Sequence, residues 1–141
     1  MPKSNFIIAI TLLTLSAAVA APHAKAADPA TARQALLKRL QAQNGGKPFS
    51  AERGKAFFYA KHTGGKPKIN SCTVCHKKNP RAPGRTRTGK VIKPMAVSAN
   101  PMRFTDPRKV AKWFRRNCRT VLGRECTAQE KGDFITFMMS Q

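Results

Sequence analysis

The chain has 141 residues, with 27 lysines and arginines against six acidic residues and a formal net charge of +21. Aromatic residues make up only 7% of the sequence and are not interleaved with the basic residues, as base stacking would require, so the composition disfavours a nucleic-acid-binding protein. The charge instead favours docking to an acidic protein or contact with an anionic membrane surface. General solubility is the simpler explanation for many individual lysines.

The N-terminal segment has the pattern of a secretory signal peptide. Lys3 gives a positive start, an apolar run covers residues 6–19, and Ala24-Lys25-Ala26 matches a cleavage site. The run is shorter than the roughly 20 residues of a membrane-spanning helix, which disfavours a retained anchor. We predict a signal peptide over residues 1–26, one domain over residues 27–141, and export to the periplasm, where nucleic acid is rarely met.

Two helices are predicted in the first part of the domain. One covers residues 30–43 and ends at Asn44-Gly45-Gly46. The other covers residues 51–61, with Ser50 as its N-cap. Gly54 would let another helix approach this second helix closely.

Cys72, Cys75 and His76 form a C-x-x-C-H sequence, the attachment signature of c-type haem. Two thiols at this spacing can reach the two vinyl groups of one porphyrin, and the adjacent imidazole can ligate the iron. A redox dithiol and half of a zinc site are the alternatives. No βαβ pattern supports the dithiol, and Cys118 and Cys126 are too far apart to copy the spacing of a zinc site. We therefore predict one covalently attached haem c.

The segment 77–105 has no helical period and is interrupted by four prolines. A loop of this length in a small domain is usually functional, and we expect it to wrap the haem. Strand signals are absent throughout the sequence. Four apolar residues would cover the haem: Val91, Ile92, Met95 and Val97. Four basic residues are candidates for pairing with its propionates, although solvated loop charges are the default: Arg81, Arg85, Arg87 and Lys90.

The clearest helix signal begins at Asp106-Pro107, an acidic N-cap followed by proline, and ends at Gly123. Its apolar stripe runs through positions 110, 113 and 114 and then reaches Asn117, where the period requires an apolar residue. A polar side chain at such a position needs a partner or a function. The capping box Thr127–Glu130 begins a last helix.

Cys118 and Cys126 remain after the haem signature has used two thiols. In an oxidising compartment, an even remainder most simply indicates a disulfide. This bond would lie beside Asn117. It would either only stabilise the fold or also fix the direction of the Asn117 side chain.

The second axial ligand of the iron is left open by the spacing alone. Met95 and Met102 would give a conventional electron-transfer cytochrome, because thioether sulfur favours ferrous iron. Asn117 offers a hard amide oxygen that should prefer ferric iron and leave on reduction. His62 falls at a solvent-facing helix end and is a weak candidate. Met138 and Met139 lie in the last helix, where methionine is usually a core residue.

The chain resembles the sphaeroides haem protein family of small oxygen-binding cytochromes c. The resemblance covers nearly all of the predicted domain and rests on these segments: residues 51–58, 63–67, 71–76, 86–90 and 103–106, Lys112-Trp113, Arg116-Asn117-Cys118, and Val121-Leu122-Gly123-Arg124-Glu125-Cys126.

This resemblance implies an all-α, class I cytochrome c-like fold with one covalently bound haem and long haem-wrapping loops. It implies haem attachment at Cys72 and Cys75, with His76 as proximal ligand and Asn117 as distal ligand, beside a Cys118–Cys126 disulfide. It also implies that the asparagine leaves on reduction, that oxygen, nitric oxide or similar ligands then bind, and that electrons come from an acidic redox partner such as a dihaem cytochrome c.

The leading hypothesis is therefore an exported monohaem cytochrome c with a redox-gated distal site. The alternatives are a methionine-ligated electron carrier and a thiol–disulfide oxidoreductase that uses Cys72 and Cys75. No general acid is evident among the six carboxylates, so the sequence leaves enzymatic turnover undecided.

Overall fold

The computed structural model describes residues 27–141, and the predicted signal peptide lies outside the described residues. The helices and strands are α1 (Pro29–Gln43), α2 (Ala51–Tyr59), α3 (Thr73–His76), β1 (Gly84–Arg85), β2 (Val91–Ile92), α4 (Pro107–Leu122) and α5 (Ala128–Met139). The all-α class is as predicted, and each of the four longer helices begins within one residue of its expected start.

Each long helix begins at a side-chain cap that the sequence contains. The Asp28 carboxylate accepts hydrogen bonds from the first backbone N–H groups of α1, and Asp106 does the same for α4. Thr127 and Glu130 form the predicted capping box of α5. Gly123 ends α4 in the left-handed conformation, with φ of 74°, which glycine adopts without steric cost.

The helices α2 and α5 pack directly against each other at Gly54. A Cβ atom at this position would lie 2.0 Å from the carbonyl oxygen of Asp133, so no other residue permits this approach. Beside the crossing, Phe58 is fully buried, and its ring centroid lies 6.0 Å and 5.9 Å from those of Phe134 and Phe137. The role predicted for Gly54 is therefore confirmed.

Asp133 is a buried carboxylate that ties α5 to the start of α2. It accepts hydrogen bonds from the Ser50 backbone N–H at 2.7 Å and from Arg53 Nε at 2.8 Å. Gln129 Nε2 donates to the same carboxylate at 2.9 Å. These donors compensate the carboxylate for its removal from water, and loss of any one of them would leave a buried charge partly unpaired.

The loop between α3 and α4 contains a small antiparallel pair, β1 and β2, in which Gly84 lies opposite Ile92 and Arg85 opposite Val91. The expectation of no strand was wrong here. Strands of two residues are too short to leave an alternating pattern in the sequence.

Hydrogen bonds to distant parts of the chain fix the rest of this loop. The Met95 backbone N–H donates to the Pro80 carbonyl at 2.9 Å, and that of Val97 donates to the Met138 carbonyl at 2.9 Å. Arg33, which is buried on α1, donates to carbonyl groups of the same loop. The loop is thereby held against the helical core.

Within residues 27–141, every helix is too short or too polar to cross a bilayer.

Candidate haem-binding site

The C-x-x-C-H sequence forms the short helix α3, with Cys72 at its N-cap. The His76 backbone N–H donates to the Cys72 carbonyl at 3.0 Å and closes the turn. Cys72 and Cys75 are consequently neighbours on one side of the turn, because residues three apart share a helix face. Both thiols are free of disulfide bonds. The turn therefore has the geometry that two thioether links to one porphyrin require.

Burial raises the pKa of the Cys72 thiol to about 11. Thiol–disulfide exchange requires a thiolate, and cysteines that perform it have lowered pKa values. The environment of Cys72 therefore disfavours the oxidoreductase alternative.

Gly84 explains how β1 packs against this turn. A Cβ atom at Gly84 would lie 2.2 Å from the Cys75 carbonyl oxygen. The glycine thus permits close contact between the loop and the C-x-x-C-H turn. The need for a glycine here depends on the packing of β1 against the turn, which no local sequence pattern indicates.

A cavity of about 640 Å³ lies between α3, the long loop and α4. Its volume falls in the range of roughly 300–1,000 Å³ typical of ligand and cofactor sites. Cys72, Cys75 and His76 form part of one wall, and residues of α4 form another. The cavity thus lies directly beside the attachment signature.

Three of the five large hydrophobic residues that are exposed in the described part of the chain line this cavity. Val91 is 59% exposed, Met102 65% and Trp113 51%. Exposed apolar side chains that converge on one concavity mark a site for an apolar ligand. These side chains fit a flat apolar macrocycle held by Cys72 and Cys75.

His76 has the protonation state that a metal ligand needs. Burial and, after it, the positive charge of Arg103 lower the pKa of His76 to about 4, so the imidazole is neutral at pH 7. Neutral imidazole is the form that binds metals. Its Nδ1 is buried, with no hydrogen-bond partner among the described residues. The imidazole makes no other hydrogen bond within the described chain, so its second ring nitrogen, Nε2, is available to bind iron.

Asn117 reaches the same cavity from α4. All four positions of the predicted stripe line it, namely Val110, Trp113, Phe114 and Asn117. The period predicted a buried position, but Asn117 is exposed, because this face of α4 borders the cavity rather than the protein core. No residue of the described chain forms a hydrogen bond with its side-chain amide. The structure therefore brings His76 and Asn117, 41 residues apart in sequence, to one cavity.

Of the other candidates for the second axial ligand of the iron, some line the cavity and others lie away from it. Met95 is half-buried and Met102 exposed, and both line the cavity. Met138 is fully buried in the core, as predicted. His62 Nε2 lies 3.0 Å from the Phe57 carbonyl oxygen, and His62 does not line the cavity. Asn117 and the two loop methionines therefore remain as candidates.

Comparisons with known proteins agree with this site. Residues 44–138 match the family model described as "Domain of unknown function (DUF1924)". Cytochrome c-type protein SHP of Cereibacter sphaeroides is 47% identical over 129 residues, which cover 92% of this chain and 97% of that protein. Cytochrome c'' of Methylophilus methylotrophus is 32% identical over 136 residues, covering 93% of this chain and 94% of that one. The chain belongs to the sphaeroides haem protein family.

Solved structures support the same assignment. The structure of oxidised SHP, described as an oxygen-binding cytochrome c, matches with a TM-score of 0.73 and 47% identity, covering 80% of this chain and 96% of that one. Oxidised cytochrome c'' matches with a TM-score of 0.66 and 33% identity, covering 79% and 95%. This sphaeroides haem protein is thus a monohaem c-type cytochrome with covalently bound haem c and an all-α cytochrome c fold.

The basic residues at the cavity of this sphaeroides haem protein differ from those expected. Of the four candidates for propionate pairing, only Lys90 lines the cavity, and Arg85 donates to the Gly89 carbonyl at 3.0 Å instead. Arg81 and Arg87 lie elsewhere on the surface. These three arginines are exposed and do not line the cavity, in line with the default expectation of solvated loop charges.

Arg103 was missed by the sequence reasoning. It lines the cavity, its Nε donates to the Pro94 carbonyl at 2.7 Å, and burial lowers its pKa. No carboxylate of the described chain pairs with it. A partly desolvated guanidinium of this kind suits a haem carboxylate. Its position depends on the folded loop, and no local sequence pattern indicates it.

The structure joins Cys118 to Cys126, with a Cα–Cα distance of 5.6 Å. Both residues are buried, and Cys118 lines the cavity next to Asn117. The pairing agrees with the sequence expectation.

The carboxylates offer little acid–base chemistry. Asp106 is the one acidic residue that lines the cavity, and backbone hydrogen bonds at the start of α4 lower its pKa. It is therefore ionised at neutral pH and serves as a helix cap. Glu125 and Glu130 pair with Arg119 and Arg124.

Proposed function

We propose that this cytochrome holds its haem through Cys72 and Cys75, with His76 as proximal ligand and Asn117 as the distal ligand of ferric iron. Asn117 leaves on reduction, and oxygen, nitric oxide or a similar small ligand takes its position. The protein exchanges electrons with a redox partner.

The observation that carries this proposal is the convergence of His76 and Asn117 on one cavity. The Asn117 amide lies on the wall of a mostly apolar cavity and has no hydrogen-bond partner in the described chain, so it is available for coordination. The helix α4 orients it, because Asp106 caps the helix start and Cys118 and Val121 anchor its other face in the core.

The chemistry of the amide explains why it would leave. When bound, haem supplies one-electron redox chemistry and axial coordination positions. The oxygen of Asn117 is a neutral, hard donor, which binds ferric iron better than the softer ferrous iron. Methionine sulfur has the opposite preference. Reduction therefore weakens an Asn117 link, whereas it would strengthen a Met95 link.

The relatives support both parts of the proposal. SHP is described as an oxygen-binding cytochrome c. The solution structure of cytochrome c'' is described as giving insights into haem-ligand detachment, and that chain is 32% identical to this one, with a TM-score of 0.61.

The proposed place of action is the periplasm, after cleavage of residues 1–26. The motif and the N-terminal segment support each other, because covalent haem attachment is completed outside the bacterial cytoplasm. The proposed electron donor is an acidic protein such as a dihaem cytochrome c, which the net charge favours.

A methionine-ligated electron carrier is the second candidate function. It is favoured by one observation, that Met95 is half-buried and lines the same cavity as Asn117. It predicts a six-coordinate, low-spin ferrous protein that binds carbon monoxide poorly.

Spectroscopy on the holoprotein separates the two functions. We expect ferrous protein to be five-coordinate and high-spin and to bind carbon monoxide readily. Asn117→Ala should change the ferric absorption and electron paramagnetic resonance spectra, whereas the matched control Met95→Ala should leave them unchanged. A sulfur-to-iron charge-transfer band that Met95→Ala removes would show that the asparagine assignment is wrong.

A further inference from the structure

One face of α4 carries a dense row of positive charge. Its 16 residues include six basic ones and no acidic one. At 3.6 residues per turn, all six fall within an arc of about 120° and extend over about 17 Å of the helix axis. They are all exposed and together are named the α4 basic face: Arg108, Lys109, Lys112, Arg115, Arg116 and Arg119.

Most of this charge is not neutralised within the described chain. Lys109 lies 3.7 Å from the Asp106 carboxylate, and Arg119 lies 2.7 Å from Glu125. Four members, Arg108, Lys112, Arg115 and Arg116, make no salt bridge to any described residue. Clustered like charges on a rigid helix destabilise the helix, so they are better explained by a partner than by solubility alone.

The α4 basic face borders the haem cavity. Trp113 and Asn117, on the same helix, follow it around the helix circumference and line the cavity. The Arg116 guanidinium lies 5.2 Å from the centroid of the Trp113 ring, which joins the charged row to the cavity edge. A molecule that binds the row is therefore held next to the site of the iron, where electron transfer has a short path.

The apolar face of α4 distinguishes between the two possible partners, an acidic protein and an anionic membrane surface. A helix that lies on a membrane inserts its own apolar face into the lipid. Here Cys118, Val121 and Leu122 are buried against the rest of the protein, and Val110 and Phe114 are half-buried at the cavity. Trp113 alone is exposed on this face, so α4 has no continuous apolar surface to insert into lipid. An exposed row of cationic side chains of this kind suits electrostatic docking to another protein.

We propose that the α4 basic face is the docking surface for an acidic electron-donor protein. This inference rests on the proposed function, since it identifies the surface through which that function receives its electrons. The helix that carries Asn117 on one side thus receives the electron donor on the adjacent side.

The test uses processed holoprotein and flavodoxin hydroquinone as an acidic donor. One electron passes from the flavin hydroquinone to the ferric iron, giving a one-electron-oxidised flavin and ferrous iron. The docking variant is Arg108→Gln/Lys112→Gln/Arg115→Gln. The matched control is Lys38→Gln/Lys47→Gln/Lys55→Gln, which removes the same three charges from exposed positions outside α4. Glutamine has good helix propensity, so both variants should fold.

Stopped-flow reduction at low ionic strength should be about tenfold slower in the docking variant, within the 10–10³-fold range of electrostatic steering, and should depend less steeply on salt. The control should change less than about twofold, because charges away from the site steer little. Reduction by reduced lumiflavin, a small donor that does not need the α4 basic face for docking, should be nearly equal in all three proteins. Equal slowing of both variants, or no slowing of the docking variant, would overturn the proposal.

Two further measurements keep the outcomes separate. If the docking variant loses binding to vesicles of phosphatidylcholine and phosphatidylglycerol but keeps its rate with flavodoxin, the face is a membrane surface and the inference is wrong. Carbon monoxide binding to the ferrous proteins tests the proposed function independently. A six-coordinate ferrous wild type would refute that function, whatever the flavodoxin rates.

Discussion

The disulfide beside Asn117 can be tested by replacing both of its cysteines with alanine. Cys118 and Cys126 are eight residues apart. In the chain-entropy description, closing a loop of this size lowers the entropy of the unfolded chain enough to contribute about 2.5 kcal/mol at 25 °C. We expect Cys118→Ala/Cys126→Ala to lower the free energy of unfolding by about this amount.

Urea unfolding of the holoprotein, followed by far-ultraviolet circular dichroism, measures the change. With a denaturant slope of about 1–3 kcal/mol/M for a protein of this size, the midpoint should fall by about 1–2.5 M. Valine-to-alanine substitution at the exposed position Val74 is a control that should leave the midpoint almost unchanged. A loss below about 0.5 kcal/mol would contradict the entropic reasoning.

The same variant tests whether the disulfide also sets the direction of the Asn117 side chain. Asn117 and Cys118 both lie inside α4, which continues to Leu122 and is capped by Asp106. The helix itself therefore sets the direction of the Asn117 side chain, and we expect the ferric spectrum of the double variant to match that of the wild type. A shifted spectrum would show that the covalent link, and not only the helix, positions Asn117.

Two further predictions concern stability. A glycine-to-alanine change normally stabilises a helix by about 1 kcal/mol. In Gly54→Ala the new Cβ would lie 2.0 Å from the Asp133 carbonyl oxygen, so we expect the free energy of unfolding in urea to fall by about 3 kcal/mol. A stabilised variant would mean that α2 and α5 are not in this contact. The hydrogen bond from Arg124 lowers the pKa of Glu130 below its usual 4.5. The pair therefore stabilises the fold above about pH 4.5, and this contribution is lost as the pH falls through the folded-state pKa. Glu130→Gln keeps the capping box and should remove that part of the acid dependence of the midpoint; an unchanged pH profile would contradict it.

The local signals of this sequence determined much of the fold. Asp28, Ser50, Asp106 and Thr127 are capping residues that act over three or four neighbouring residues, so the helix starts could be predicted from them. The covalent chemistry of the haem signature is equally local. The short β1–β2 pair depends on contacts across the loop and was missed for that reason.

The tertiary structure decided which residues meet at the haem site. The helical period marked Asn117 as a polar residue on an apolar face, but only the packing of α4 across from α3 brings that face and His76 to one cavity. Arg103 could not be singled out in the sequence, because its place at the cavity depends on hydrogen bonds to carbonyl groups nine and ten residues away. The sequence by itself determined that haem is bound and from which turn, because the attachment signature Cys72–His76 is five consecutive residues. What surrounds the iron depends on long-range packing, which no short stretch of sequence contains.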